Sequence, residues 1–164
     1  MKPNIPTPSQ TIGPFFGFAT PFSNDSSAVP EGEIGAMRIE GQLLDGSGEP
    51  VSDGLVEVWG EHQFARCRTD EEGAFHFTVT KPSSGHQAEG DAPHLDVIVF
   101  ARGLLRHLVT RMYFPDEETA NATDRVLAAI DPIRRETLIV KAEGDMLRFD
   151  IHLQGDSETV FFAL

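Results

Sequence analysis

From residue 37 onward, apolar and polar positions alternate in short runs, and clusters of Gly, Asp and Pro separate each run from the next. This is the pattern of a sandwich or barrel of short strands. The first run covers residues 37–44, and Asp45-Gly46-Ser47-Gly48 turns the chain into a second, 51–59. Asp70-Glu71-Glu72-Gly73 leads into residues 74–80, where Phe75, Phe77 and Val79 fall on one face and Lys81-Pro82 ends the strand. Residues 95–101 are almost unbroken in apolar character, which predicts a strand buried on both faces, and 108–114 follow after a break at Gly103; both are expected to be central. Residues 137–142 and 146–153 flank Glu143-Gly144-Asp145 and predict a hairpin. Only residues 116–130 leave this rhythm, with acids at the start, alanines later and Pro132 beyond, which predicts one helix or two short turns.

The first 35 residues are of another kind. Pro3, Pro6, Pro8, Pro14, Pro21 and Pro30 exclude continuous helix and weaken strand pairing, yet Ile12, Phe15, Phe16, Phe18 and Phe22 need cover from water. An arm, 1–35, is therefore expected to dock on an all-β sandwich domain, 36–164. The apolar tail from Thr159 to Leu164 should pack into the sandwich or an interface.

A length of 164 residues suits one domain with a core of its own. Acidic residues outnumber basic ones 26 to 13, and the net charge of −13 disfavours nucleic acid and anionic membrane surfaces as partners. An anionic small substrate would need a local positive group. The lone Cys67 excludes an internal disulfide, Met1-Lys2-Pro3-Asn4-Ile5-Pro6 lacks the apolar stretch of a signal peptide, and no apolar run nears the roughly 20 residues of a membrane span, so the expected compartment is the cytoplasm.

A set of short segments carries a wider resemblance: Thr7-Pro8-Ser9-Gln10-Thr11-Ile12-Gly13-Pro14-Phe15, Leu55-Val56-Glu57-Val58-Trp59, Arg68-Thr69-Asp70 with Gly73, and Phe100-Ala101-Arg102-Gly103. Arg135-Glu136-Thr137-Leu138-Ile139, Arg148-Phe149-Asp150-Ile151 and Gly155-Asp156-Ser157-Glu158-Thr159-Val160-Phe161-Phe162 complete the set. In this order, over nearly the whole chain, they resemble the intradiol aromatic-ring dioxygenases, and in particular the alpha chains of the heteromeric ones. The resemblance implies a β-sandwich core and an alpha-beta hetero-oligomer whose beta chain alone binds Fe(III), through two Tyr and two His, the His pair lying in a Pro-Ala-His-x-His stretch. It also implies an aromatic dihydroxy acid of the protocatechuate type and O2 as substrates, with 3-carboxy-cis,cis-muconate as product.

This chain departs from that ligand set. Its only tyrosine is Tyr113, Ala92-Pro93-His94-Leu95-Asp96 has Asp96 where a second His would stand, and Ser83-Ser84-Gly85-His86-Gln87 supplies no tyrosine. No metal is expected to be held here, and the chain alone is expected to be inactive. By resemblance, Thr11, Phe15 and Arg102 line the substrate pocket beside the beta chain's iron, although alpha chains can carry Tyr at the Phe15 position.

Each residue also has a plainer account. Arg102 follows a strand that leaves the core, so it can aim a guanidinium at a cleft or form a surface salt bridge. Thr11 and Phe15 can belong to an arm that docks for apolar reasons alone. His94 reads as a hydrogen-bonded residue near a strand start, although a site of two His and one carboxylate, using His94, Asp96 and a distant His, stays open. His62, His76, His86, His107 and His152 are scattered. Trp59 reads as core or interface filling and Cys67 as a small buried hydrophobe, while Asp116, Glu117, Glu118 and the Arg134-Arg135-Glu136 cluster read as solvated charges. The alternative to a dioxygenase subunit is a non-enzymatic β-sandwich binding or structural module with no dioxygenase partner.

Overall fold

The computed structural model describes residues 8, 10–13, 15–83 and 91–163. Among these residues nine strands form two sheets: β1 Ala36–Leu44, β2 Leu55–Trp59, β3 Phe64–Arg68, β4 Ala74–Thr80, β5 His94–Phe100, β6 Leu108–Tyr113, β7 Lys141–Glu143, β8 Met146–Arg148 and β9 Ile151–His152. The first sheet runs β4-β1-β8-β7, with β9 also on β1, and the second runs β3-β2-β5-β6. Short helices fill the connections: α1 Phe16–Ala19, α2 Glu118–Thr123, α3 Arg125–Ala129 and α4 Pro132–Arg135, followed by a 3-10 turn at Glu136–Leu138. The predicted all-β sandwich with a short helical segment is what is found.

Alternation puts Ile39 and Leu43 of β1 and Phe75, Phe77 and Val79 of β4 against Val56, Val58, Val97, Val99 and Met112 of the facing sheet. Burying each such side chain contributes roughly 1.5–3 kcal/mol relative to exposure. A second cluster, Ala92, Tyr113, Leu127 and Leu138, lies where the helices meet the end of β6.

Several segments differ from expectation for local reasons. Residues 51–54 are not strand, because the chain turns at Ser52 and Asp53 before β2 begins. β3 was not expected: it buries only the small Ala65 and Cys67 and directs Arg66 toward the largely buried Glu57, 2.5 Å away. β5 is central but not buried on both faces, since Asp96 is exposed and Ile98 and Phe100 are half-buried. β6 is an edge strand rather than a central one. The expected hairpin exists as β7-β8 but is short, and the run 146–153 breaks into β8 and β9, both parallel to β1. The break passes over Gly41, where a Cβ would overlap the carbonyl oxygen of Phe149 and the ring of Phe75.

The helical segment splits at Asp124, whose carboxylate accepts from the backbone N–H groups of Val126 and Leu127 and so caps α3. Pro132 does not simply follow the last helix; it opens α4 behind Asp131, which caps it.

The arm lies along one side of the sandwich. Asp25 accepts from the Arg66 N–H of edge strand β3 at 2.7 Å, and Ser26 and Ala28 exchange backbone bonds of 2.9 Å with Thr78 of edge strand β4. On the opposite edge the tail reaches β6, where the Phe162 N–H donates to Val109 at 2.8 Å and Val140 donates to Tyr113 at 3.0 Å. The expected docking of the tail is thus found, and among the described residues three of the four sheet edges are occupied by the chain itself.

Candidate substrate-facing site

The end of β5 and the start of the arm meet. The Ile12 N–H donates to the Leu104 carbonyl at 2.7 Å, and the Phe16 ring packs on Phe100 with centroids 5.6 Å apart. Arg102 sits between those two contacts in sequence, on a turn where Gly103 has φ 92°. That backbone conformation is one only glycine adopts without strain, so the sharp exit from β5 presents the Arg102 side chain outward. The guanidinium is 71% exposed, and its Nε forms an ion pair with the Asp53 carboxylate at 3.0 Å. Its terminal nitrogens make no hydrogen bond among the described residues.

Thr11 is exposed, and its Oγ1 accepts the Gly13 N–H at 3.0 Å, leaving the hydroxyl hydrogen free to donate. Phe15, next to the docked Phe16, is 75% exposed. The structure therefore brings Thr11 and Arg102 to one region through the Ile12–Leu104 bond, with Phe15 on the adjoining turn of the arm. The arm buries only part of its aromatic set: Phe18 lies over the Arg68 guanidinium at 4.8 Å, and Phe22 is 58% exposed. Of the arginines on this side, Arg66 is paired with Glu57 and Arg102 with Asp53, while Arg68 lies under the Phe18 ring.

His94 begins β5 and is separated from Arg102 by roughly 20 Å of strand. It is buried, its Nδ1 lies 2.8 Å from the Ala92 carbonyl, and its ring packs on Tyr113 with centroids 5.2 Å apart. Burial holds its pKa below the usual histidine range. The Tyr113 hydroxyl donates to Asp124 and accepts from Arg111, each at 3.3 Å, and burial raises its pKa. The Tyr113 hydroxyl is thus already engaged on both sides, by the Asp124 carboxylate and the Arg111 guanidinium. Asp96 is turned to Arg111 at 3.3 Å, with His94 Nε2 at 3.6 Å. Among the described residues no group of three or more His, Cys, Asp or Glu is placed to hold a metal. The His94–Asp96 metal site gains no third ligand there, and Ser84 to Gln87 lie outside the described residues.

Two features escaped the sequence reading. One is the ion-pair set around Arg111, which joins Asp91 and Asp96, with Asp91 also held by Arg125. Its signal was a charged residue inside the apolar run 108–114. The other is the outer face of the second sheet. Trp59 is 44% exposed on it and is not core.

No family model matches the chain. The fold is that of intradiol ring-cleaving dioxygenases. An intradiol ring-cleavage dioxygenase from Tetranychus urticae superposes with a TM-score of 0.61 at 15% identity, covering 80% of this chain and 86% of that one. The dioxygenase domain of a dioxygenase carbohydrate-binding protein fusion from Streptomyces sp. SirexAA-E does so with a TM-score of 0.62 at 24% identity, covering 92% and 99%. By sequence, the chain is 34% identical to the protocatechuate 3,4-dioxygenase alpha chain of Burkholderia cepacia, over 95% of this chain and 96% of that one. It is 39% identical to the alpha chain of Pseudomonas putida over 95% of each. The Burkholderia cepacia beta chain is 31% identical over 81% of this chain and 71% of that one. This chain belongs to the protocatechuate 3,4-dioxygenase alpha-chain family.

Proposed function

We propose that this chain is the alpha subunit of a heteromeric protocatechuate 3,4-dioxygenase, in which a homologous beta chain holds Fe(III) and Thr11, Phe15 and Arg102 complete the substrate pocket. What supports this most is the backbone bond from Ile12 to Leu104, which ties the arm to the turn that carries Arg102. In the assembled enzyme the beta chain's ferric centre supplies the chemistry by which O2 inserts between the two hydroxylated carbons, both oxygen atoms entering 3-carboxy-cis,cis-muconate. This chain supplies recognition. The terminal Arg102 nitrogens face the ring carboxylate, Phe15 walls the ring, and the Thr11 hydroxyl donates a hydrogen bond. A local guanidinium is what an acidic protein needs to admit an anionic substrate. The expected compartment is the cytoplasm; among the described residues no helix is long and apolar enough to cross a membrane. A module working without a dioxygenase partner is not favoured, because relatives matching 95% of the chain are dioxygenase alpha chains.

Steady-state kinetics of the reconstituted heteromer test this. Arg102→Ala should raise KM for protocatechuate about tenfold, the scale of one charge-assisted contact, with partial recovery in Arg102→Lys. Unchanged KM and turnover in Arg102→Ala would remove Arg102 from the pocket.

A further inference from the structure

The arm carries Phe15 between two fixed points. Before it, the Ile12 N–H is bound to Leu104; after it, the Thr20 carbonyl accepts from Nη1 of Arg66 at 2.7 Å. Thr20 also closes the turn between them, because its N–H and its Oγ1 both donate to the Phe16 carbonyl, at 3.2 and 2.6 Å. The Phe15 carbonyl accepts from the N–H groups of Phe18 and Ala19 at 3.0 Å each. The Phe16 ring is seated on Phe100, and Gly17 is buried, with Arg68 Nε 3.8 Å from where a Cβ would stand. Phe15 nevertheless keeps an exposed ring. A large apolar side chain held outward from a turn bound at both ends is presented to something other than its own core.

Arg66 is the costly part of this arrangement. Its side chain is only 18% exposed and that of its partner Glu57 only 8%. Nη2 reaches Glu57 and Nη1 reaches Thr20, while Nε is buried with no hydrogen-bond partner among the described residues. The guanidinium lies 6.0 Å from the Phe22 ring centroid and 5.1 Å from that of Phe64, and the Arg66 backbone N–H holds Asp25, whose carboxylate accepts from Phe22. An ion pair taken out of water adds little stability over apolar side chains of similar size, and an unmatched buried N–H subtracts from it. What arginine supplies here and an apolar residue cannot is direction. A rigid fork, locked on one prong by a buried carboxylate, fixes where the carbonyl on its other prong must lie. We propose that Arg66, held by Glu57, is a positioning residue that fixes the turn at residues 15–20 so that Phe15 meets the ring of the substrate. The role rests on the pocket assignment of Phe15.

Steady-state kinetics of the reconstituted heteromer with protocatechuate test this. Arg66→Met alone strands a buried carboxylate, so the informative variant combines it with Glu57→Gln, which removes both charges and keeps an acceptor for the Trp59 indole N–H, 3.3 Å from Glu57. The pair of substitutions should raise KM roughly fivefold, the scale of one contact that must be ordered on binding, with kcat within about twofold and far-UV circular dichroism unchanged. Arg66→Lys keeps the charge but loses the fork, and should raise KM about twofold. In a Phe15→Ala background, where KM is already raised, the pair should add less than about 1.5-fold, because Arg66 acts through that ring. If the pair does not fold, Arg66→Lys carries the measurement, and a wild-type KM there overturns the positioning role. Unchanged KM in the folded pair, or an undiminished rise in the Phe15→Ala background, overturns it too while leaving Phe15 in the pocket. An inert Phe15→Ala removes Phe15 from the pocket and the positioning role with it.

Discussion

Asp124 is fully buried and accepts hydrogen bonds from the N–H groups of Ala92, Val126 and Leu127 and from the Tyr113 hydroxyl. One carboxylate thereby fixes the start of β5, the end of β6 and the start of α3. His94 sits against the same tyrosine. Because burial lowers its folded-state pKa, its neutral form is the one folding favours. Stability from this source is complete above the unfolded value of about 6.5 and is lost as pH falls through the folded value. Urea midpoints should therefore decline from about pH 7 toward pH 5, and His94→Gln should flatten that decline; a wild-type profile already flat over this range would refute it. At this scale the sequence was legible where one residue type decides, as with the single Tyr113. It was silent on the pairing of Asp91 with Arg111 and Arg125 and on the bonds from Ala92 and Tyr113 to Asp124, because those partners lie apart in the chain and meet only through folding.

Strand β4 was readable because Phe75, Phe77 and Val79 are large and strictly alternate. β3 was not, because its inward residues are the small Ala65 and Cys67, and its other face carries, besides Phe64, two arginines satisfied by Glu57 and by Phe18 of the arm. Apolar content likewise overstated the burial of β5, since Ile98 lines an open groove instead of facing a covering layer. Where two elements cross, Gly41 is the contact that sets their spacing. Gly41→Ala should cost at least about 3 kcal/mol, because the backbone of Phe149 must retreat and β8 and β9 are both anchored to β1. Chemical denaturation measures this, and a loss under about 1 kcal/mol would show that the crossing relaxes freely.

On the scale of the whole molecule, family and fold were legible because matching segments are spread along the entire chain, whereas the ferric centre assigned to the beta chain involves residues that this chain does not have. The isolated chain, incubated with ferric iron and desalted, should retain well under one equivalent, and stripping iron from the heteromer should stop oxygen uptake while leaving the circular dichroism of this chain intact. Stoichiometric iron in the isolated chain would contradict the assignment.

The arm on β3 and β4 and the tail on β6 leave β7 as the sheet margin without a backbone partner among the described residues, and its three exposed residues include Lys141 and Glu143. Backbone pairing is indifferent to side chains, so a sandwich with open margins would join any similar sandwich, alike or unlike. With those margins sealed, neighbours must be chosen by the shape and chemistry of side chains. For one of two chains descended from a common ancestor, that is the condition under which it can tell its counterpart from another copy of itself.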